Sequence, residues 1–194
     1  MIKSLMSEYP EANLVAIFDA KGKTFRNDLY PDYKANRPPM PDELRSQIEY
    51  IHRGVRALGL PLIAMEQVEA DDVIGTYAQQ AMDRGETVLV ASGDKDLAQI
   101  VNARVHIIDT MKKVIYDEAG VAEKFGVQPT QMIDYLTLVG DSSDNIPGVP
   151  KVGPKTAVKW LQEFGSLDAI IERADEIGGK VGESLREFIP QIPL

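Results

Sequence analysis

Four short apolar runs, separated by longer helix-patterned stretches, most constrain how this chain can fold. They are "LVAIFDA" (Leu14 to Ala20), "PLIAMEQ" (Pro61 to Gln67), "TVLVAS" (Thr87 to Ser92) and "RVHIIDT" (Arg104 to Thr110). Apolar runs of this length, closed by turn residues, read as buried strands. Helical patterns cover Pro41 to Leu58 and Ala70 to Arg84, the second closed by Gly85. Strands alternating with helices imply an α/β core with a parallel, doubly wound sheet. The stretch Thr24 to Pro41, "TFRNDLYPDYKANRPPMP", breaks the alternation. It is basic, aromatic and interrupted by proline, and is expected to rise above the sheet. After Gly126 the pattern turns helical. An α/β core over residues 1–125, including a basic arch over 24–41, and a helical subdomain over 126–194 are therefore expected, with the boundary near Lys124 to Gln128.

Composition narrows the chemistry. The chain has 194 residues, 44% hydrophobic and 26% charged, which suits a globular domain with a small appendage. With Cys 0, disulfides and thiolate metal sites are excluded. His52 and His106 are the only histidines, which leaves too few ligands for a typical zinc enzyme. No apolar run is long enough to span a membrane, and "MIKSLMSEYP" lacks a signal-peptide pattern, so no membrane partner and a cytoplasmic location are expected. The net charge of −9 taken alone argues against nucleic acid. Charge is uneven, however: "YKANR" and "PKVGPKT" are locally basic. An acidic total can conceal a basic groove if many acids surround metal ions, which reverse the local sign.

The acids are gathered where such ions would be held. In open α/β sheets ligands bind beyond the carboxyl ends of the strands. Asp19 ends the first run; Glu69, Asp71 and Asp72 follow the second; Asp94 and Asp96, in "SGDKD", follow the third. Carboxylates this dense repel one another unless protons or cations intervene. Hard divalent cations, Mg²⁺ or Mn²⁺, are the matching partners. Two such ions about 4 Å apart activate water and stabilise a leaving oxygen in phosphodiester hydrolysis. A lone acid at a strand end is commonly a helix cap or a solvated side chain. Clusters at three successive strand ends are not explained that way. Asp109 also ends a run, but without acidic neighbours, and reads as structural.

The stretch "GDSSDNIPGVPKVGPKT", Gly140 to Thr156, adds a further group. Gly148 and Gly153 have the spacing of a nucleotide-binding P-loop, but Pro154 displaces Lys155 by one place, and the preceding "SSDNIP" is turn chemistry rather than a strand. The better reading is two-part. Asp141 and Asp144 bring ligands from the helical subdomain, while Gly148, Lys151, Gly153, Lys155 and Thr156 form a hairpin between helices that grips a nucleic-acid backbone. A plain helix–helix connection capped by Gly140 would leave the lysines and the paired acids unexplained.

Together, "IFDAKGKTFR", "YKANRPPMP", "VEADDVIGT", "SGDKDLAQ" and "GDSSDNIPGVPKVGPKTA" resemble, in order, the 5′-nuclease domain of bacterial DNA polymerase I, in the flap-endonuclease superfamily. The resemblance covers roughly Leu14 to Ile171. It implies a PIN-like, flap-endonuclease-like parallel-sheet core with a helical helix–three-turn–helix subdomain. It implies a two-metal 5′-3′ exonuclease acting on DNA 5′ flaps, nicks and RNA primers in replication and repair. Metal-ligand or outer roles fall to Asp19, Glu69, Asp71, Asp72, Asp94, Asp96, Asp141 and Asp144. Lys34 and Arg37 are implied to contact the scissile phosphate, with Tyr33 beside the substrate. The hairpin is implied to hold duplex DNA and a K⁺ ion, and a polymerase domain is implied in the full-length protein. The family opens with a strand ending in Asp, which nothing before Ile2 matches, so an N-terminally truncated copy with an open sheet edge is expected. Two other readings stand beside the nuclease: a branched-DNA-binding fragment with little turnover, and an RNase of the PIN type. The hairpin, which implies duplex contact, counts against the RNase.

Overall fold

The structure, a computed structural model, describes residues 1–192. Helix α1 (Ile2–Glu8) precedes strand β1 (Ala16–Ile17). The basic segment then forms one short helix, α2 (Phe25–Leu29), closed at its start by reciprocal bonds between Thr24 and Asn27. Helices α3 (Asp42–Arg45) and α4 (Ile48–Ala57) lead to β2 (Leu62–Ile63). The central helix α5 (Ala70–Asp83) connects β2 to β3 (Val88–Ala91), and β4 (Val105–Asp109) and β5 (Val114–Tyr116) follow. Beyond α6 (Glu118–Phe125), the chain is mainly helical: α7 (Met132–Val139), a small hairpin of β6 (Gly140–Asp141) and β7 (Ile146–Pro147), then α8 (Pro154–Phe164), α9 (Leu167–Glu172) and α10 (Gly179–Phe188).

The four expected strands are present, but they do not make one sheet. Strand β1 pairs in parallel with β2, and β3 pairs in parallel with β4, which carries β5 antiparallel on its other edge. Among the described residues no ladder joins the two sheets. The expectation of a single parallel sheet is therefore corrected to two sheets, each holding one parallel pair. The difference follows from what a strand can pair with. Among the described residues β1 and β2, two residues each, are paired with one another alone, while β5 lies antiparallel on β4 across a short turn of residues 110–113.

Burial is uneven in the same sense. The main core runs through Val105 and Ile107 of β4, Val121 of α6, Met132 and Leu138 of α7, Ala157, Trp160 and Leu161 of α8, and Leu185 of α10. It is continuous across residue 126, so core and helical subdomain share one apolar interior. In β1 and β2 all residues are only half-buried, and Leu5, Val55 and Val73 are buried outside the main cluster. Short two-stranded sheets need packing from helices to persist, which α4 and α5 supply here. Among the described residues no helix is long and apolar enough to cross a membrane.

Candidate metal centre and nucleic-acid interface

Helix α5 begins where the acids gather. Glu69 is its N-cap: its backbone carbonyl accepts the Asp72 N–H at 3.1 Å, while the Asp72 side chain accepts the Glu69 N–H at 2.9 Å. Asp19, at the end of β1, accepts the Ala70 N–H at 2.7 Å, which ties the first strand to the same helix end. The next residue, Asp71, is pushed up to about 6, first by burial, then by repulsion from Asp94, Asp19 and Glu69. Carboxylates from β1, α5 and the turn after β3 thus meet at one rim, as the strand-end reasoning requires.

A second group adjoins the first. The exposed Asp94 accepts the Asp96 N–H at 2.9 Å, and Asp96 lies with Asp141 and Asp144 in a trio whose ligand oxygens all fall within 4.8 Å of one another. Asp96 is also pushed up to about 6, by burial and then by Asp94 and Asp141. Its Oδ1 is buried without a hydrogen-bond partner. A buried carboxylate oxygen without a donor, next to two further carboxylates, is the donor set a hard divalent cation satisfies. Asp141 behaves differently. Burial works against its charge, yet Lys95 at 3.1 Å and the Ser143 N–H at 2.7 Å hold its carboxyl below the ordinary range.

The basic segment folds over these groups and touches the helical subdomain. The Tyr33 hydroxyl lies 2.9 Å from Glu69 Oε2 and 3.0 Å from Asp144 Oδ2, so one phenol bridges the two acid groups. Burial, then these carboxylates, raise its pKa and keep it protonated. Lys34 pairs with Glu69 at 2.7 Å and stands 3.7 Å from Asp144. Arg37 pairs with Asp144 and donates from Nε to the Ser143 carbonyl at 3.1 Å. Backbone contacts fasten the same junction: Lys34 N–H to Asp144 O at 2.9 Å, Asn36 to Ser142 O at 2.7 Å, and Asn145 to Asp32 O at 2.8 Å. Lys34 (φ +56°) and Asn145 (φ +60°) both adopt left-handed backbone there. Non-glycine residues take that conformation at a cost, and such strain collects at functional sites. The segment expected to arch clear of the core instead buries Tyr33 to 6% exposure.

Residues the sequence reading did not single out complete the site. Arg26 grips Asp72 with two bonds of 2.7 Å. Asn36 and Asn145 stitch arch to loop. Their only sequence signal was position inside the two unusual segments. Asp109 has the structural role expected of it, accepting the Met111 and Lys112 N–H groups at 3.0 Å each.

The back half of the loop presents lysines outward. Helix α8 starts at Gly153, has Pro154 in its first turn and carries no acid there. Its apolar face, Ala157, Trp160 and Leu161, is buried, while Lys151, Lys155 and Lys159 are exposed. Lys151 has φ +68°, which turns the chain sharply into the helix. Nothing lies within 4 Å of where a Cβ on Gly153 would stand, so an outside group can approach that backbone. Gly148 has an internal reason as well. A Cβ there would come 2.3 Å from the Val139 carbonyl carbon and 2.4 Å from the Gly140 nitrogen. Only glycine allows that crossing of two backbones.

Comparison with known proteins agrees with this architecture. A family model described as the 5′-3′ exonuclease, N-terminal resolvase-like domain, matches residues 1–126, and one described as the 5′-3′ exonuclease, C-terminal SAM fold, matches residues 127–194. The DNA polymerase I of Pseudomonas aeruginosa is 49% identical over 178 residues, covering 91% of this chain and 20% of the relative. A 5′-3′ exonuclease of Buchnera aphidicola is 45% identical over 177 residues, covering 91% of this chain and 59% of the relative. The chain thus spans a fifth to three-fifths of the length of these relatives. The T5 D15 protein co-crystallised with metal ions superposes with a TM-score of 0.87 at 26% identity, over 98% of this chain and 76% of that one.

Proposed function

The chain belongs to the 5′-3′ exonuclease family, and on that premise we propose that it is a divalent-metal-dependent nuclease hydrolysing DNA phosphodiesters at 5′ flaps and nicks and removing RNA primers. The observation that carries this reading is the meeting of Tyr33, Lys34 and Arg37 with Glu69 and Asp144 directly over the Asp96–Asp141–Asp144 trio and its unpartnered buried oxygen. In this reading Asp96, Asp141 and Asp144 hold one Mg²⁺ or Mn²⁺, and Asp19, Glu69, Asp71 and Asp94 the region of a second. Bound there, such ions would supply an activated water and neutralise charge on the phosphate. The chain's own cations do the positioning. Lys34 and Arg37 neutralise Glu69 and Asp144, and would be free to meet a phosphate if cations held those carboxylates instead. Tyr33 keeps its proton and orients both acids.

The exposed Lys151 and Lys155, with the open backbone at Gly153 and Thr156 behind it, grip the duplex, and the same turn would hold a K⁺. The relatives' name suggests that a polymerase domain accompanies this unit in a longer protein of the cytoplasm. A second reading, a branched-DNA-binding fragment with little turnover, is favoured by one feature. Asp19 stands on a sheet that is not hydrogen-bonded to the strand preceding Asp94 and Asp96. Reacting groups must be held within fractions of an ångström, so a loosely joined rim would cost rate before it cost binding. One assay separates the readings: cleavage and binding of a 5′-flap DNA with Mg²⁺, with Mn²⁺ and with EDTA. Metal-dependent release of the flap supports the nuclease; tight binding without cleavage supports the fragment; cleavage undiminished in EDTA overturns the metal mechanism.

A further inference from the structure

Two adjacent aspartates at the start of α5 have opposite surroundings. Asp71 is crowded by carboxylates and, among the described residues, has no basic side chain bonded to it. Asp72 has both oxygens spoken for: Oδ1 accepts Arg26 Nη2 at 2.7 Å, and Oδ2 accepts Arg26 Nη1 at 2.7 Å and the Glu69 N–H at 2.9 Å. We propose that Arg26 and Asp72 form a positioning pair for the site, and that Asp72 is not a metal ligand although it lies in the acidic cluster. The proposal rests on the nuclease reading for its kinetic consequences, but not for its metal-binding ones.

Asp72 caps the backbone of Glu69, and the Glu69 carboxylate in turn meets Tyr33 and Lys34. Arg26 lies on α2, at the foot of the arch, where Asn27 donates to the Tyr33 carbonyl at 3.4 Å. The Arg26 guanidinium also lies 4.6 Å over the Phe25 ring, which limits its rotation. One bidentate pair thereby fixes the arch against the acid-bearing helix end. Paired guanidinium and carboxylate planes give direction as well as charge, which a lysine at the same place does not reproduce. Groups one step behind the ligands commonly contribute 10- to 100-fold to activity or metal affinity by orienting them.

The test uses the whole chain and four variants, Arg26→Ala, Arg26→Lys, Asp72→Asn and Asp71→Asn. Mn²⁺ binding is counted by electron paramagnetic resonance, and kcat and KM are measured on a 5′-flap DNA. Thermal unfolding checks that each variant folds. Asp72→Asn and both Arg26 variants are expected to bind as many Mn²⁺ ions as the unaltered chain, whereas Asp71→Asn binds fewer. Arg26→Ala and Asp72→Asn are each expected to lower kcat by about 10- to 100-fold with KM for DNA little changed. Combining the two should cost no more than either alone, and Arg26→Lys should recover only part of the loss. Loss of a bound Mn²⁺ in Asp72→Asn, matching Asp71→Asn, would overturn the proposal. So would a raised KM with unchanged kcat in Arg26→Ala, which would place Arg26 on the DNA. If the unaltered chain does not cleave, the nuclease reading fails, and the Mn²⁺ count alone still decides whether Asp72 is a ligand.

Discussion

Asp96→Asn should make the metal-free protein more stable and the metal-bound protein less so. Asp96 sits beside Asp141 and Asp144, with one buried oxygen lacking any donor, and its carboxyl is pushed up to about 6. Measured from an ordinary value near 3.9, that displacement corresponds to about 3 kcal/mol of preference for the neutral form. The group is only half-buried, and solvent and salt screen part of the repulsion, so a realised gain of about 1–2 kcal/mol is expected from the neutral amide. The pH dependence has a definite sign. A carboxyl whose folded pKa is raised binds more protons folded than unfolded between about pH 4 and 6, so its stabilisation is present below that window and lost as pH rises through it. The advantage of Asp96→Asn should therefore be full at pH 7–8 and vanish near pH 4. For a chain of this size the gain corresponds to a rise in Tm of about 2–8 °C in EDTA. Added Mg²⁺ should reverse the order, because it stabilises the unaltered chain and finds a weaker site in the variant. Thermal and urea unfolding, with EDTA or Mg²⁺, across pH 4–8 would measure this. A variant less stable than the original in EDTA at pH 8, or a difference independent of pH, would refute the reasoning.

Other expectations follow from the same geometry. Asp71→Asn should lower flap turnover far more than DNA affinity, and equal turnover would make that acid structural. Lys151→Ala and Lys155→Ala should each reduce the slope of log affinity against log salt by about 0.9, if each meets one phosphate; an unchanged slope would remove the loop from the DNA. Gly148→Ala should destabilise by about 3 kcal/mol, because its Cβ would stand 2.3 Å from backbone that cannot turn aside; urea unfolding within 0.5 kcal/mol of the original would show that the hairpin yields. Flap cleavage, where present, should stop in EDTA and return with Mg²⁺ or Mn²⁺.

Periodicity and punctuation sufficed for much of this molecule. The apolar runs became strands because continuous burial and turn residues leave a chain little else to do, and α5 runs over Ala70–Asp83 because its pattern and Gly85 define it locally. The acids at the strand ends were legible in part for the same reason: parallel strands send their carboxyl ends to one side, which sets Asp19 beside Glu69 and Asp71, whereas packing decided that Asp94, after a strand of the other sheet, joins them. Contacts between segments distant in sequence were not legible. Nothing near Asp72 announces that Arg26, 46 residues earlier, will take both its oxygens. Nor does "YKANR" reveal that Tyr33 will be buried between Glu69 and Asp144, 36 and 111 residues away. Whether β1 and β3 share a ladder was equally beyond local pattern, since a strand's sequence states that it wants a partner but not which partner is there. Local chemistry decided which residues carry charge and which hide; only the packing of arch, helix and loop decided which charges neutralise one another and which, like Asp71 and Asp96, are left wanting a cation.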